Sequence, residues 1–292
     1  MSTGYKFRRT LSNVLIYILL AVLGIIWISP LFYLVIHSFR GEGLQTVSYL
    51  WPKEFSFQNY VDLIMDSKMV NPASTSSLDF VRWFINTFVV AIFSCIISTL
   101  AVLMVSYAFS RLRFKARKPL INVGMVLGMF PGFMTMIAIY YLLKAMGLTQ
   151  TLVALVICYS AGAGLGYQIS KGFFDTIPRA LDEAATIDGA TKNQVFWKII
   201  LPMSKPIVVY TVLTSFIGPW TDFILAKIIM GDKLDNYTVA IGLQKMISPD
   251  FIATHYKKFL AGSVIVAVPI TILFLKLQTY YVEGVTAGGV KG

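Results

Sequence analysis

Six long apolar runs, near 13–37, 83–109, 119–143, 150–170, 205–227 and 259–281, alternate with more polar stretches of uneven length. Each has the roughly 20 residues that a helix needs to cross a hydrocarbon core of about 30 Å. Backbone groups in lipid must be satisfied within the segment, so the pattern predicts an all-α integral membrane protein of six transmembrane helices. Lys6, Arg8 and Arg9 precede the first run as they would in a signal peptide. The run is too long for a signal core, and no small-residue cleavage site follows it, so the first helix is expected to stay uncleaved. Residues 1–12 are then an N-terminal segment, 13–281 the membrane domain and 282–292 a tail.

One polar segment, 175–203, stands out between the fourth and fifth runs. Asp182, Glu183, Asp188, Lys192 and Lys198 crowd into it, and each would cost roughly 3 kcal/mol or more at the bilayer centre. The segment must leave the lipid as a structured loop. Pro178 opens it, and Ala180, Leu181, Ala184 and Ala185 are good helix formers. Asp188-Gly189 is a turn signal, and Val195, Phe196, Ile199 and Ile200 recur at helical spacing before Pro202. Two short helices are predicted, over 179–186 and 191–201, joined at Gly189 and ended by Pro202. Ala184 and Ala185 would admit a closely approaching partner, and Gly189 can take a backbone angle that other residues resist. From the residues alone, an amphipathic helix lying on the lipid is the competing reading.

Composition agrees with the pattern. The chain is 57% hydrophobic and 13% charged, with a mean hydropathy of +0.71, against about 45–50% apolar and 25% charged in soluble domains. Its net charge of +11 reflects side rather than partner. Segments 1–12, 110–118, 171–205 and 282–292 carry fourteen Lys and Arg, and the longer set 38–82, 144–149 and 227–258 carries ten. Five of the fourteen fall within 111–118. By the positive-inside rule both termini and the 175–203 loop are expected in the cytoplasm, and nucleic-acid binding is not indicated.

Chemistry is nearly absent. There is no phosphate-binding G-x-x-x-x-G-K-[ST] sequence, and the glycines between 162 and 166 lie inside an apolar run, where close helix packing explains them. Cys95 and Cys158 sit in apolar runs and read as small hydrophobes; His37 and His255 are isolated, so no metal site and no cofactor are expected. Asp222 and Lys276 are the ionisable groups inside runs, and both lie near span ends, which argues against ion coupling. Pro30, Pro131, Pro219 and Pro269 should kink their helices, either simply or as hinges of a cavity. The stretch 218–222 joins such a kink to Trp220 and Asp222. Aromatic faces suit sugars, although Trp is also an ordinary interface anchor. The external stretches 38–82 and 228–258 read equally well as connectors or as surfaces for a partner.

Several of these residues resemble those of one family. Glu183-Ala184-Ala185, then Asp188-Gly189-Ala190, Phe196 and Pro202 in one order resemble the EAA loop of permease subunits of ABC importers. Gly218, Trp220, Asp222 and Phe223, Asn86-Thr87 at the start of the second run, and the ending 284–292 resemble the maltose-type, carbohydrate-uptake branch. Thr221 departs from that pattern, where Asn is frequent. The resemblance implies a six-span type I permease fold and a transport subunit that is not itself an enzyme. It implies a prokaryotic cell-membrane location, a second related permease, two ATPase subunits and an extracytoplasmic sugar-binding protein. The loop residues Glu183, Ala184, Ala185, Asp188, Gly189, Ala190, Phe196 and Pro202 would couple to the ATPase. Trp220, Asp222 and Asn86 would line the sugar path, and Asp235, Tyr237 and Gln244 would meet the binding protein. Gly288, Gly289 and Lys291 would reach the ATPase from a tail too poor in side chains to order by itself. An oligosaccharide, with malto-oligosaccharide foremost, is the substrate implied. A permease for another solute, or an ion-coupled carrier or channel, is the alternative.

Overall fold

The computed structural model describes residues 3–41, 49–74, 78–162 and 166–289, and its regular elements are helices. A single β-bridge, Arg40 to Phe55, is formed among these residues. In chain order come α1 (Thr3–Ser38), α2 (Gln58–Met65), α3 (Phe80–Arg111), α4 (Arg117–Gly128), α5 (Gly132–Ala145), α6 (Leu152–Gly162) and α7 (Tyr167–Thr176). They are followed by α8 (Ala180–Ile187), α9 (Lys192–Val195), α10 (Leu201–Met203), α11 (Lys205–Thr221), α12 (Ile224–Met230), α13 (Val239–Met246) and α14 (Ile252–Gly289).

Four stretches are long and apolar enough to cross a membrane: Thr10–Ser38, Phe80–Arg111, Leu152–Thr176 and Ile252–Tyr280. Two bent pairs raise the number to six if each is one span. The α4–α5 pair turns by 104° at Pro131, and the α9–α10 segment meets α11 at 85° about Ser204. Pro131 cannot donate a backbone bond and holds the extended conformation that starts a new helix. Pro30, Pro219 and Pro269 lie inside continuous helices.

The mast of the molecule is α3. Small side chains let its neighbours approach, as expected where lipid supplies no hydrophobic drive between helices. The Ser98 and Ser215 hydroxyls bond across to α11 at 2.9 Å, and the Ser106 hydroxyl donates to the Tyr167 carbonyl of α7 at 3.0 Å. A large core surrounds the N-terminal half of α3, with Trp83, Leu155, Ile229, Ile241 and Met246 almost wholly buried. A smaller one surrounds its C-terminal end, built from Leu103, Tyr107, Phe174, Val195, Phe196 and Ile200.

The structure redraws several boundaries. The fourth run continues to Thr176, and α1 begins at Thr3 rather than near residue 13. The fifth run is broken at Asp222, whose carboxylate accepts from the Leu225 N–H in the first turn of α12 at 3.1 Å. Pro202 does not end its helix: a π-turn over Phe196–Ile200 precedes α10, which carries Pro202 and runs to Met203. The wider turn accommodates a residue that lacks its N–H and crowds the carbonyl four positions back. The residues from 282 to 289 continue α14 as helix rather than forming an unstructured tail, because adding turns to an existing helix avoids the cost of nucleation.

Candidate functional site

Two places merit attention: the polar loop at the C-terminal end of α3, and a cavity along its middle. The loop starts where Ile177 and Pro178 leave α7. The helix α8 carries Asp182 and Glu183 in its first turn, where carboxylates favour the positive end of the helix dipole. Gly189 closes the turn after it with φ of +82°, the left-handed conformation that non-glycine residues adopt at a cost. The next helix opens with a capping box, in which the Thr191 hydroxyl accepts from the Gln194 N–H and the Gln194 side chain accepts from the Thr191 N–H. Thr-x-x-Gln is a legible helix-start signal that the expectation above omits.

The loop is bolted to the membrane helices chiefly by Arg111. Arg111, only 3% exposed, donates to the Phe174 and Ile177 carbonyls at 2.7 and 2.8 Å and pairs with Asp182 at 3.4 Å. Its guanidinium therefore joins the end of α3, the end of α7 and the start of α8. Arg179 donates to the Ser110 carbonyl, and the Tyr107 hydroxyl donates to the Lys192 carbonyl. Tyr107 and Phe196 pack with their rings tilted by 47° and centroids 4.8 Å apart. Counting Arg111 only as part of a basic run had hidden this role, since its acceptors are carbonyls distant in sequence.

The loop residues divide by exposure. Glu183, Ala184, Asp188, Gly189 and Pro202 face outward. Ala185 and Phe196 are buried in the small core and Ala190 packs against it, so they set the loop's shape rather than present a surface. Ile187 is 86% exposed beside a concavity of about 450 Å³ lined by Arg111, Arg179, Asp182, Glu183 and Lys192. An isoleucine so bare on a polar loop escaped the sequence reading.

The second place is a cavity of about 320 Å³ between α3, α6, α7 and α11, lined by Ser98, Tyr159, Tyr210, Thr214 and Ser215 among others. Gly162, Gly166 and Gly218 form part of its wall. A side chain at Gly162 or Gly166 would meet nothing within 4 Å, so these two glycines open space rather than pack helices; 163–165 lie outside the described residues. Trp220, Asn86 and Asp222, expected to line a sugar path, are not in the wall of this cavity. Trp220 is buried among Phe84, Phe88 and Phe216. The Asn86 amide donates to the Asp235 and Tyr237 carbonyls. Asp222 accepts from the Tyr159 hydroxyl at 3.0 Å, beside the cavity rather than in its wall.

At the opposite end of α3 the stretch 228–258 is a packed cap. The Trp83 indole donates to the Leu234 carbonyl, and Thr87 receives the Val239 N–H. Tyr237 is 4% exposed. Its hydroxyl accepts from Lys227 and donates to the Gly231 carbonyl, so it points inward. Burial alone would push the Lys227 pKa down; its bonds to Tyr237 and Asp232 outweigh this and raise it. Asp235 and Gln244 are exposed, with Asp235 pairing with Arg82 at 2.9 Å. Gly288 and Gly289 lie on α14, and Lys291 is outside the described residues. Among the described residues no cluster of His, Cys, Asp or Glu could hold a metal.

Comparison with known proteins places this geometry. The model of the family described as "Binding-protein-dependent transport system inner membrane component" matches residues 97–285. A galactooligosaccharide transport permease of Bacillus subtilis is 34% identical over the full length of both chains. A maltodextrin transport permease of Streptococcus pneumoniae is 30% identical, again over both full lengths. A maltose/maltodextrin permease of Photorhabdus laumondii is 32% identical over 98% of this chain and 97% of its own. Among solved structures, a bacterial ABC transporter for the acidic polysaccharide alginate superposes with a TM-score of 0.78 at 19% identity, over 96% of this chain and 99% of that one.

Proposed function

The chain belongs to the family of binding-protein-dependent transport system inner membrane components, and from that premise we propose that it is one permease half of an ATP-driven oligosaccharide importer. Members of this family are transport components, so the chemistry of ATP hydrolysis falls to a partner. The observation that carries the reading is the loop of α8: an outward face of Glu183, Ala184 and Ile187 on a body locked to two membrane helices through Arg111. A surface of that kind can receive a push and pass it on as a rigid body. The ATPase would seat on α8 with Ile187 at the centre of the contact, where a bare aliphatic gains most from burial. Closure of two ATPase subunits would then tilt α3 and α7 together and alternately open the cavity between α3, α6, α7 and α11.

A second permease would complete the path, and a binding protein would deliver substrate at the 228–258 cap, through Asp235 and Gln244 rather than the inward Tyr237. This places both termini and the α8 loop in the cytoplasm, in accord with the Lys and Arg bias. Sugar is supported by the named substrates of the relatives and by a largely apolar cavity wall that includes Tyr159, Tyr210 and the hydroxyl residues Ser98, Thr211, Thr214 and Ser215, side chains of the kinds that stack on and hydrogen-bond to sugar rings. The test is transport by the chain co-expressed with its permease, ATPase and binding-protein partners, using labelled malto- and galacto-oligosaccharides. ATP-dependent uptake of at least one is expected; uptake of neither, with an amino acid or ion carried instead, overturns the reading.

A further inference from the structure

Between α3 and α4 the chain folds its densest positive charge around a single hollow. Arg113, Lys115, Arg117 and Lys118 wall a concavity of about 560 Å³, and Lys171 reaches it from α7. The positive-inside rule explains why such residues lie on one side of a membrane. It does not explain why five cations, four from the α3–α4 connection and the start of α4 and one from α7, converge on one hollow. Among the described residues no carboxylate lines the hollow, and Asp175, the partner of Lys171 at 2.5 Å, is also engaged by the Ser110 hydroxyl at 2.6 Å. Arg113, Lys115 and Lys118 form no ion pair among the described residues. The hollow thus keeps a positive charge that its own fold does not neutralise.

Its floor and exit are apolar. Phe114 stacks on Phe109 with centroids 6.1 Å apart, which holds the loop in place, and Pro119 and Ile121 complete the wall. From there α4 runs away with no buried residue. Leu120, Val123, Val126 and Leu127 are each about half exposed or more, at 49%, 54%, 57% and 58%. A charged hollow continuous with a bare aliphatic face matches an amphiphile with an anionic head and hydrocarbon tails. We propose that this hollow binds the phosphodiester headgroup of an anionic phospholipid, whose acyl chains lie along α4. Arginine donors suit two phosphate oxygens at once, and lysines add point charge. A zwitterionic lipid brings its own ammonium into a site already crowded with cations, so the site selects phosphatidylglycerol over phosphatidylcholine.

The proposal stands apart from the transport reading and is tested on the full chain in a neutral detergent. Native mass spectrometry with added phosphatidylglycerol or phosphatidylcholine counts the retained lipid. The expected result is retention of phosphatidylglycerol in preference by about five-fold or more. R113Q/K115Q/K118Q should abolish that preference, while K198Q/K205Q/K276Q, with the same loss of charge elsewhere, should keep it. Circular dichroism checks that both variants retain their helix, and the wild-type preference decides the matter without them. Equal retention of the two lipids overturns the proposal, as does equal loss in both variants, which would mark general surface charge. Glycerophosphoglycerol, the same phosphodiester without acyl chains, distinguishes the source: retention of this soluble diester as tight as that of the lipid would assign the hollow to a free phosphate and overturn the lipid site.

Discussion

The two ends of α3 are built on opposite plans. At its N-terminal end Trp83, Thr87 and Asn86 turn their polar atoms onto the backbone of 234–239, and Gly242 lies so close to the indole that a methyl group would sit 1.9 Å from Trp83 Cε3. That end is a finished core. At its C-terminal end one buried arginine ties three segments together over a much smaller core, and α8 is left with Ile187, Glu183 and Ala184 bare. A closed end needs nothing further to be stable. An end held by charge and hydrogen bonds, with an apolar residue exposed, suits the ATPase contact proposed above. The contrast separates an end that its own packing closes from one that is held to the membrane helices by polar bonds and leaves an apolar side chain bare.

The strongest way to break this contrast is Arg111→Ala. It leaves Asp182 and two carbonyls without their buried donor, and removing one partner of a buried pair costs about 3–5 kcal/mol. In the assembled importer, uptake should fall by about ten-fold or more with the chain still inserted, and Arg111→Lys should recover only part, since an ammonium cannot form the guanidinium's fork. Uptake at the wild-type level in a well-expressed Arg111→Ala variant would remove the strut. Next in size is Gly242→Ala at the other end, where overpacking against Trp83 should cost about 1–3 kcal/mol or more. A thermal melt should show the loss, and Trp83→Leu added to it should return part of the stability, as expected of neighbours in contact.

Gly189→Val separates shape from space. Nothing lies within 4 Å of the position a Cβ would take, so the whole effect comes from φ of +82°. A β-branched residue there should cost about 1–2 kcal/mol and uncouple ATP hydrolysis from uptake, whereas Gly189→Asn, which tolerates that angle, should couple nearly normally. Equal behaviour of the two variants would show that the turn angle is immaterial. The smallest effect belongs to Asp235→Ala. Its side chain is 71% exposed in its pair with Arg82, so folding stability should change by less than about 1 kcal/mol. A large fall in uptake with stability intact would then mark Asp235 as a contact with the binding protein, and a cysteine at Gln244 should crosslink to that protein during turnover.

Much of the site was legible because its signals are local. The run of charges at 182–198 had to leave the lipid, and Asp188-Gly189 marked a turn whose glycine does take a positive φ. What escaped were residues whose role depends on remote partners. Arg111 acts on carbonyls at 174 and 177, and Asn86 on those at 235 and 237. Tyr237 looked like a surface aromatic in a polar stretch, yet its ring packs on Trp83 and its hydroxyl is consumed by Lys227 and Gly231. The stretch 282–289 has few side chains to hold it, and a helix already running through it supplied the order instead.

By itself the sequence determined the solvent of each segment, since twenty apolar residues and a cluster of five charges have transfer energies too large for any packing to reverse. It also settled the helical class and the position of the loop. Tertiary structure decided which side chains face one another, where the bends at Pro131 and Ser204 send the chain, and which of Glu183, Ala184, Ala185, Ile187 and Phe196 remain exposed. Those outcomes turn on contacts between residues far apart in the chain, each of only a few kcal/mol, and one helical pattern is compatible with many such pairings.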